Sequence, residues 1–116
     1  MSEILNSEYG STFLRNHAQS ILDFGKNSRS PLGGFAYLDS KGAIDTTKNR
    51  ETYQQARFTQ VFGLAHLMGF NNYLPQVEEG IRSLNELMRD NENGGYFNAI
   101  DADGKAASSE KLCYDH

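Results

Sequence analysis

The sequence predicts an all-α fold in which a buried inner helix is followed by an outer one, linked by short hairpin loops. Three observations carry that expectation. Residues 51–68 are apolar on nearly every side of a helical wheel, the pattern of a helix enclosed by others. Residues 73–89 instead confine their apolar side chains to one face, as a helix does when its other face meets solvent. A double-glycine motif occurs twice, with its copies starting 61 residues apart, and each copy leads toward a helix start, so the unit reads as a repeat.

Taken in order, residues 11–24 carry Phe13, Leu14, Ala18, Ile21 and Leu22 at spacings of three and four, one stripe of a helix. Ser11 is placed as its N-cap and Gly25 as a left-handed stop, with His17 beside the stripe as a partly buried structural residue. Residues 26–32 read as loop, because Pro31 discourages a helical continuation. The second helix holds Tyr53, Ala56, Phe58, Val61, Phe62, Leu64, Ala65, Leu67 and Met68, and Gly69 ends it. In the third, Leu74, Val77, Ile81, Leu84, Leu87 and Met88 face inward, while Gln76, Glu78, Glu79, Arg82 and Glu86 face outward. Asn72 caps that helix, and Pro75 falls in its first turn, where a missing N–H is tolerated.

The two glycine copies are Gly33-Gly34-Phe35-Ala36-Tyr37-Leu38-Asp39-Ser40-Lys41-Gly42 and Gly94-Gly95-Tyr96-Phe97-Asn98-Ala99-Ile100-Asp101-Ala102-Asp103-Gly104. Their alternation predicts short hairpins turning at residues 39–42 and 101–104. A last helix is expected from Ser108 or Ser109, with Leu112, Cys113 and Tyr114 opening a buried-type run. Only about two turns of it precede His116, too few for a helix to nucleate by itself, so the sequence reads as the front part of a larger fold.

A chain of 116 residues supplies one small domain. Its net charge of −4 and pI near 5.3 leave no basic footprint for a phosphate backbone, so no nucleic-acid partner is expected. No apolar run approaches the ~20 residues that span a bilayer, and residues 1–6 show no basic flank before an apolar run, so neither a membrane span nor a secretion signal is expected. A single cysteine, Cys113, excludes an internal disulfide framework and agrees with a reducing, cytoplasmic setting.

Several stretches together resemble the N-acylglucosamine 2-epimerase superfamily, especially its aldose–ketose isomerase branch of mannose isomerase-like and sulfoquinovose isomerase-like enzymes. They are Asp23-Phe24-Gly25-Lys26-Asn27, Pro31 through Gly42, Gln55-Ala56-Arg57-Phe58 leading to Ala65-His66-Leu67-Met68-Gly69, Gly94-Gly95-Tyr96-Phe97 through Gly104, and Lys111-Leu112-Cys113-Tyr114-Asp115-His116. The resemblance implies an (α/α)6 barrel of inner and outer helices, of which residues 1–116 would be the N-terminal part of a single catalytic domain and, taken alone, an incomplete one. It also implies a free hexose-type sugar as substrate, interconverted between aldose and ketose or between 2-epimers; no cofactor is expected, and no metal is required where hydrogen-bond donors suffice. Family catalytic histidines lie in later helices, so no general acid or base is assigned within this chain, and the chain alone is expected to be inactive.

Such chemistry needs a base to remove a proton α to a carbonyl, an acid to return one, and donors to hold the enediolate charge. Arg57 is the candidate for holding that charge. It stands one turn after Tyr53 on an otherwise apolar helix, where an unpaired guanidinium is costly. The resemblance points to the same arginine as a substrate ligand. The ordinary alternative is a helix-end arginine that reaches solvent or pairs with Glu51. Tyr114 is a substrate-binding candidate through the family's Tyr-x-His pattern, and Tyr53 as an aromatic wall against a sugar's C–H face. His116, about 200° round a helix from Tyr114, is not expected to share its face and is read as a frayed terminal residue. His17 and His66 are read as structural, and Cys113 as core.

Other readings are weaker. Residues 90–101 have calcium-loop length, with Asp90, Glu92, Asn98 and Asp101 near ligand positions, but Gly94 stands where a side-chain oxygen is needed and the last ligand is Asp. No Gly-Lys-Ser/Thr follows either double glycine, so neither is a phosphate loop. A lyase or hydrolase on a related barrel would need paired carboxylates that the buried-type helix lacks. A different class remains, a non-catalytic helical protein acting only through a partner chain or self-association that covers its exposed apolar helices.

Overall fold

The computed structural model describes Glu3 and residues 7–116; apart from Glu3, the N-terminal residues 1–6 lie outside the described residues. Helix α1 spans Glu8–Gly25 and runs into a 3-10 turn, Lys26–Ser28. Strand β1, Arg50–Glu51, leads directly into helix α2, Thr52–Leu67. Helix α3 covers Leu74–Ser83 and ends in a π-helical turn, Leu84–Met88. Strands β2, Ala99–Ile100, and β3, Ala106–Ser108, form a hairpin, and a 3-10 turn, Cys113–Asp115, follows. The three strands make one antiparallel sheet in the order β1-β2-β3, with Arg50 opposite Ile100 and Glu51 opposite Ala99. The ensemble is an inner helix, α2, packed against an outer one, α3, with α1 alongside. This is the inner-and-outer helix arrangement expected of part of an (α/α)6 barrel.

The repeat survives in the backbone, bond for bond. Arg29 bridges Phe35 as Arg89 bridges Tyr96. Ser30 N–H donates to Gly34 C=O at 2.8 Å, and Asp90 N–H to Gly95 C=O at 2.9 Å. Ala36 N–H reaches Ser28 C=O at 2.7 Å, as Phe97 N–H reaches Met88 C=O at 2.7 Å. Both hairpin turns close as expected: Gly42 N–H bonds Asp39 C=O and Gly104 N–H bonds Asp101 C=O, each at 3.1 Å.

The first double glycine is buried, and three side chains from elsewhere satisfy its backbone. Gln55 donates from Nε2 to Phe35 C=O and accepts Phe35 N–H on Oε1, both at 2.7 Å. Glu79 accepts Gly34 N–H at 2.6 Å and pairs with Arg82 at 2.7 Å and Arg29 at 3.5 Å. Arg50, only 2 % exposed, donates to Gly33 C=O and, at 3.2 Å, to Asp101 C=O. One guanidinium therefore ties the first double glycine to the second hairpin; burial lowers its pKa, partly offset by Asp101. Phe35, held this way, stacks on Phe58 and meets Phe62, with ring centroids 5.1 and 5.8 Å away. Phe62 meets Tyr73 at 5.3 Å, and Leu22 and Ala65 complete the cluster. Helices α2 and α3 approach closely at Gly80, where an added Cβ would collide with the Thr59 side chain.

Several expectations are corrected. Ser7, not Ser11, caps α1, its Oγ accepting Gly10 N–H at 2.9 Å. Gly25 is right-handed (φ −62°), so the helix winds on into the 3-10 turn instead of stopping. Of the α1 stripe only Leu22 is buried; Phe13, Leu14 and Ile21 stay exposed, because no described element covers that side. His17 is likewise exposed, stacked on Phe13 at 6.0 Å. On α2, Val61, Leu64 and Leu67 are exposed, as is Met68 just after it, so the helix is enclosed on one side only. Glu79, assigned to the outer face, is buried by its bonds to Gly34 and two arginines, whereas Leu74 and Ile81, assigned inward, are about half exposed. No helix starts at Ser108 or Ser109: Ser108 belongs to β3, and Leu112, Cys113 and Tyr114 are exposed.

Gly34 has φ +71°, and a Cβ there would sit 2.7 Å from Gln55 Oε1, whereas Gly69 at φ +77° has open space around it. Gly34→Ala is expected to cost about 2 kcal/mol or more, and Gly69→Ala only the left-handed penalty of about 1 kcal/mol. Urea denaturation checks the ordering; equal losses would contradict it.

Candidate functional site

The N-terminal turn of α2 meets the 3-10 turn that ends the second copy, and there the three residues named from sequence come together. Tyr53 projects from the first turn of α2 and Arg57 from the next, because a spacing of four places them one above the other. Arg57 Nη2 donates to the Tyr114 hydroxyl. Its guanidinium carbon lies 5.2 Å from the Tyr53 ring centroid and 5.6 Å from that of Tyr114, within cation–π range. The two rings are 5.7 Å apart and inclined at 54°. Among the described residues no carboxylate lies within ion-pair distance of Arg57.

The alternative pairing of Arg57 with Glu51 does not form; Glu51 Oε2 accepts the Tyr37 hydroxyl at 2.8 Å. That phenol is pushed above its ordinary pKa, first by burial and then by Glu51 and Tyr53, so it stays a neutral donor. Tyr37 and Gln54 do not stand out as site residues in the sequence, yet they border the same region. Together with Arg57, Phe24, Phe58 and Val61 they line a cavity of about 420 Å³ between α1 and α2. Gln54 is 8 % exposed and its Oε1 has no hydrogen-bond donor among the described residues. The signals that could have found them are the alternating hairpin around Tyr37 and, for Gln54, a polar side chain on an apolar helix.

Asp115 follows Tyr114 and turns its carboxyl toward the start of α2, where neither oxygen makes a hydrogen bond of ordinary geometry. Burial raises its pKa, opposed by His116 and the Tyr53 N–H. His116 is not frayed. Its Nε2 accepts Tyr96 N–H at 3.0 Å, its Nδ1 lies 2.8 Å from Leu112 C=O, and its ring meets Tyr96 edge-on at 5.6 Å. His66 is spent structurally, with Nδ1 3.3 Å from the Tyr73 N–H.

The calcium alternative finds no support in the geometry. Asp90 receives the N–H groups of Glu92 and Asn93 and the Lys111 ammonium, and Asp101 receives those of Asp103 and Lys105. Each carboxylate serves its own turn. Among the described residues no cluster of three metal-ligating side chains occurs, and no helix is long and apolar enough to cross a membrane.

The arrangement offers a planar cation and a phenol as hydrogen-bond donors beside an aromatic face. That combination suits a polyhydroxylated ring, whose oxygens take donors and whose C–H face takes an aromatic. Comparisons with known proteins show what the chain as a whole is similar to. Residues 33–116 match the family profile of N-acylglucosamine 2-epimerase (GlcNAc 2-epimerase). A D-mannose isomerase of Thermobifida fusca is 36 % identical over 104 residues, covering 90 % of this chain and 26 % of that protein. One from Pseudomonas cannabina pv. alisalensis is 29 % identical over 116 residues, covering 99 % and 27 %. Among solved structures, cellobiose 2-epimerase from Spirochaeta thermophila superposes with a TM-score of 0.70 at 25 % identity, over 84 % of this chain and 26 % of that one. A sugar epimerase from a ruminal bacterium gives 0.74 at 20 % identity, over 88 % and 28 %. The chain thus spans about a quarter of the length of these relatives.

The segment leading to Tyr114 is tethered by Lys111, whose Nζ lies 2.7 Å from Asp90 Oδ2. Lys111, and after it the Asn93 N–H, hold the Asp90 carboxyl well below the usual carboxylate range. A depressed folded-state pKa gives stability that is complete above the unfolded value and lost as pH falls through the folded one. Asp90→Asn is therefore expected to destabilise the protein near neutral pH, with the gap to wild type shrinking below about pH 4. Denaturation midpoints across that range check this; a gap independent of pH would contradict it.

Proposed function

The chain belongs to the N-acylglucosamine 2-epimerase family, and from that premise we propose that it carries the substrate-holding part of an enzyme interconverting an aldose with its 2-ketose or 2-epimer. The observation that carries this reading is the Arg57–Tyr114 pair set against Tyr53, a guanidinium with aromatic and phenolic neighbours and no carboxylate to neutralise it. The likeness to two D-mannose isomerases makes a free hexose of the mannose type the first substrate to try.

In the opened sugar, removal of the C2 proton leaves a cis-enediolate whose charge spreads over O1 and O2. Reprotonation at C1 gives the ketose, and reprotonation at C2 from the opposite face gives the epimer. Arg57 and Tyr114 donate to those oxygens, holding charge that develops in the transition state, while Tyr53 covers a C–H face. The acid and base are supplied by other parts of the barrel, so residues 1–116 bind and orient without moving the proton. Its setting is the cytoplasm, in keeping with a lone, exposed thiol.

To test the role of Arg57, residues 1–116 are substituted for the matching quarter of the Thermobifida fusca D-mannose isomerase, and conversion of D-mannose to its ketose is followed. Losing hydrogen bonds from a charged donor is expected to lower kcat/KM about 10- to 100-fold in Arg57→Ala, with Tyr114→Phe losing less. Unchanged turnover in Arg57→Ala would sink the substrate role.

A second reading, self-association without catalysis, draws on the exposed apolar side chains Val61, Leu64 and Leu67 of α2, Met68 just after it, and Ile21 and Phe24 of α1. Contiguous apolar surface of this kind drives association. In sedimentation, the 116-residue chain is expected above its 13.0 kDa monomer mass, and Val61→Lys with Leu64→Lys is expected to return it toward monomer. A wild-type chain that sediments as a monomer would remove this reading.

A further inference from the structure

We infer that His116 is a positioning residue, the second copy's counterpart of Gln55, clamping the second double-glycine turn so that Tyr114 is presented to Arg57. The inference rests on the reading of Arg57 and Tyr114 as a sugar site for its functional meaning, but not for its geometry. Gln55 Oε1 accepts the N–H of Phe35, 20 residues before it, and His116 Nε2 accepts the N–H of Tyr96, also 20 residues before it. Phe35 and Tyr96 each follow their double glycine directly. At both turns the second glycine is in the left-handed region, φ +71° at Gly34 and +72° at Gly95, and each is closed over by the accepting atom of its clamp. An added Cβ would lie 2.7 Å from Gln55 Oε1 in one case and 2.5 Å from His116 Nε2 in the other.

The equivalence extends to the residues two positions earlier, Tyr53 before Gln55 and Tyr114 before His116. The two tyrosines that flank the Arg57 guanidinium thus hold the same position in the two copies. In the first copy α2 fixes Tyr53. In the second, Tyr114 lies in the 3-10 turn Cys113–Asp115, and His116 ties that turn to its surroundings. His116 fastens it at both ends: Nδ1 to Leu112 C=O at 2.8 Å, just before the turn, and Nε2 to Tyr96 N–H across the chain. With Nε2 accepting, Nδ1 is the donor, so one tautomer serves both bonds. A side chain engaged at both nitrogens has no free atom with which to move a substrate proton.

The repeat itself names the substitution that tests this. Glutamine does the same work at position 55, so His116→Gln should keep the clamp and His116→Ala should lose it. Amide hydrogen exchange of the 116-residue chain is read by NMR at Tyr96, with the Phe35 amide as internal reference, together with cross-peaks between the Tyr114 ring and the Arg57 side chain. In His116→Ala, Tyr96 exchange should accelerate at least about 10-fold, Phe35 should be unchanged, and the Tyr114–Arg57 cross-peaks should vanish. In His116→Gln both signals should return to wild type. Tyr96 protection surviving in His116→Ala would overturn the proposal. So would His116→Gln behaving like His116→Ala, or Phe35 losing protection alongside Tyr96, which would make His116 a general folding residue. No sugar enters this experiment, so failure of the sugar-site reading, seen as unchanged turnover in Arg57→Ala, is distinguishable from failure of the clamp.

Discussion

The two hydrogen bonds between the Gln55 amide and the Phe35 backbone are the constraint on which the rest of the structure depends. A turn driven into the interior brings peptide N–H and C=O groups away from water, and each left unpaired costs as much as several good contacts return. A primary amide is one of the few side chains able to satisfy a donor and an acceptor on the same residue. Once Gln55 does so, the start of α2 is fixed against the first double glycine and the Phe35 ring is committed to the cluster with Phe58 and Phe62. Arg50 and Glu79 reinforce the same turn from the strand and from the outer helix. Tyr53 and Arg57 inherit their positions from that anchorage.

What could be read from sequence divides along the range of the forces involved. The hairpin turns were legible because Asp-to-Gly turn chemistry is local: Asp39 and Asp101 bond N–H groups two and four residues on. The Gly69 stop was legible for the same reason. Burial was not, because it depends on what stands opposite. The α1 stripe and half of α2 are apolar and yet open, while Glu79, which looks like an outer-face carboxylate, is closed in by two arginines and a backbone N–H. The segment after Ser108 has helical composition, yet Ser108 itself belongs to β3 and the first turn after it is the 3-10 turn Cys113–Asp115. The role of His116 was hidden by that helical composition; its 20-residue offset from Tyr96 is a usable signal, but only once Gln55 shows what the offset means.

The site shows how a cation stays available. A guanidinium near a carboxylate is ordinarily claimed by it, but Glu51 stands six residues before Arg57 and off its helix face. The Tyr37 hydroxyl takes Glu51 instead, and Arg57 is left with aromatic faces and one phenol. Aromatic partners stabilise the charge without neutralising its donors, so the N–H groups remain free to meet oxygens that carry developing negative charge. On the proposed reading, this is the property an enediolate requires.

Duplication alone would give two equal tyrosines in two equal settings. Tyr53 lies in the first turn of α2 and Tyr114 in the 3-10 turn Cys113–Asp115, and both rings stand within cation–π range of the Arg57 guanidinium. Arg57, one turn beyond Tyr53, breaks the symmetry by placing its charge between them. The tether then has to come from a side chain able to bond both the preceding carbonyl and the facing turn. Imidazole does this with its two nitrogens, whereas the Gln55 amide puts its oxygen and nitrogen both on the Phe35 backbone. An asymmetric site is thereby built from a symmetric repeat, because a single cation, Arg57, stands between two equivalent tyrosines.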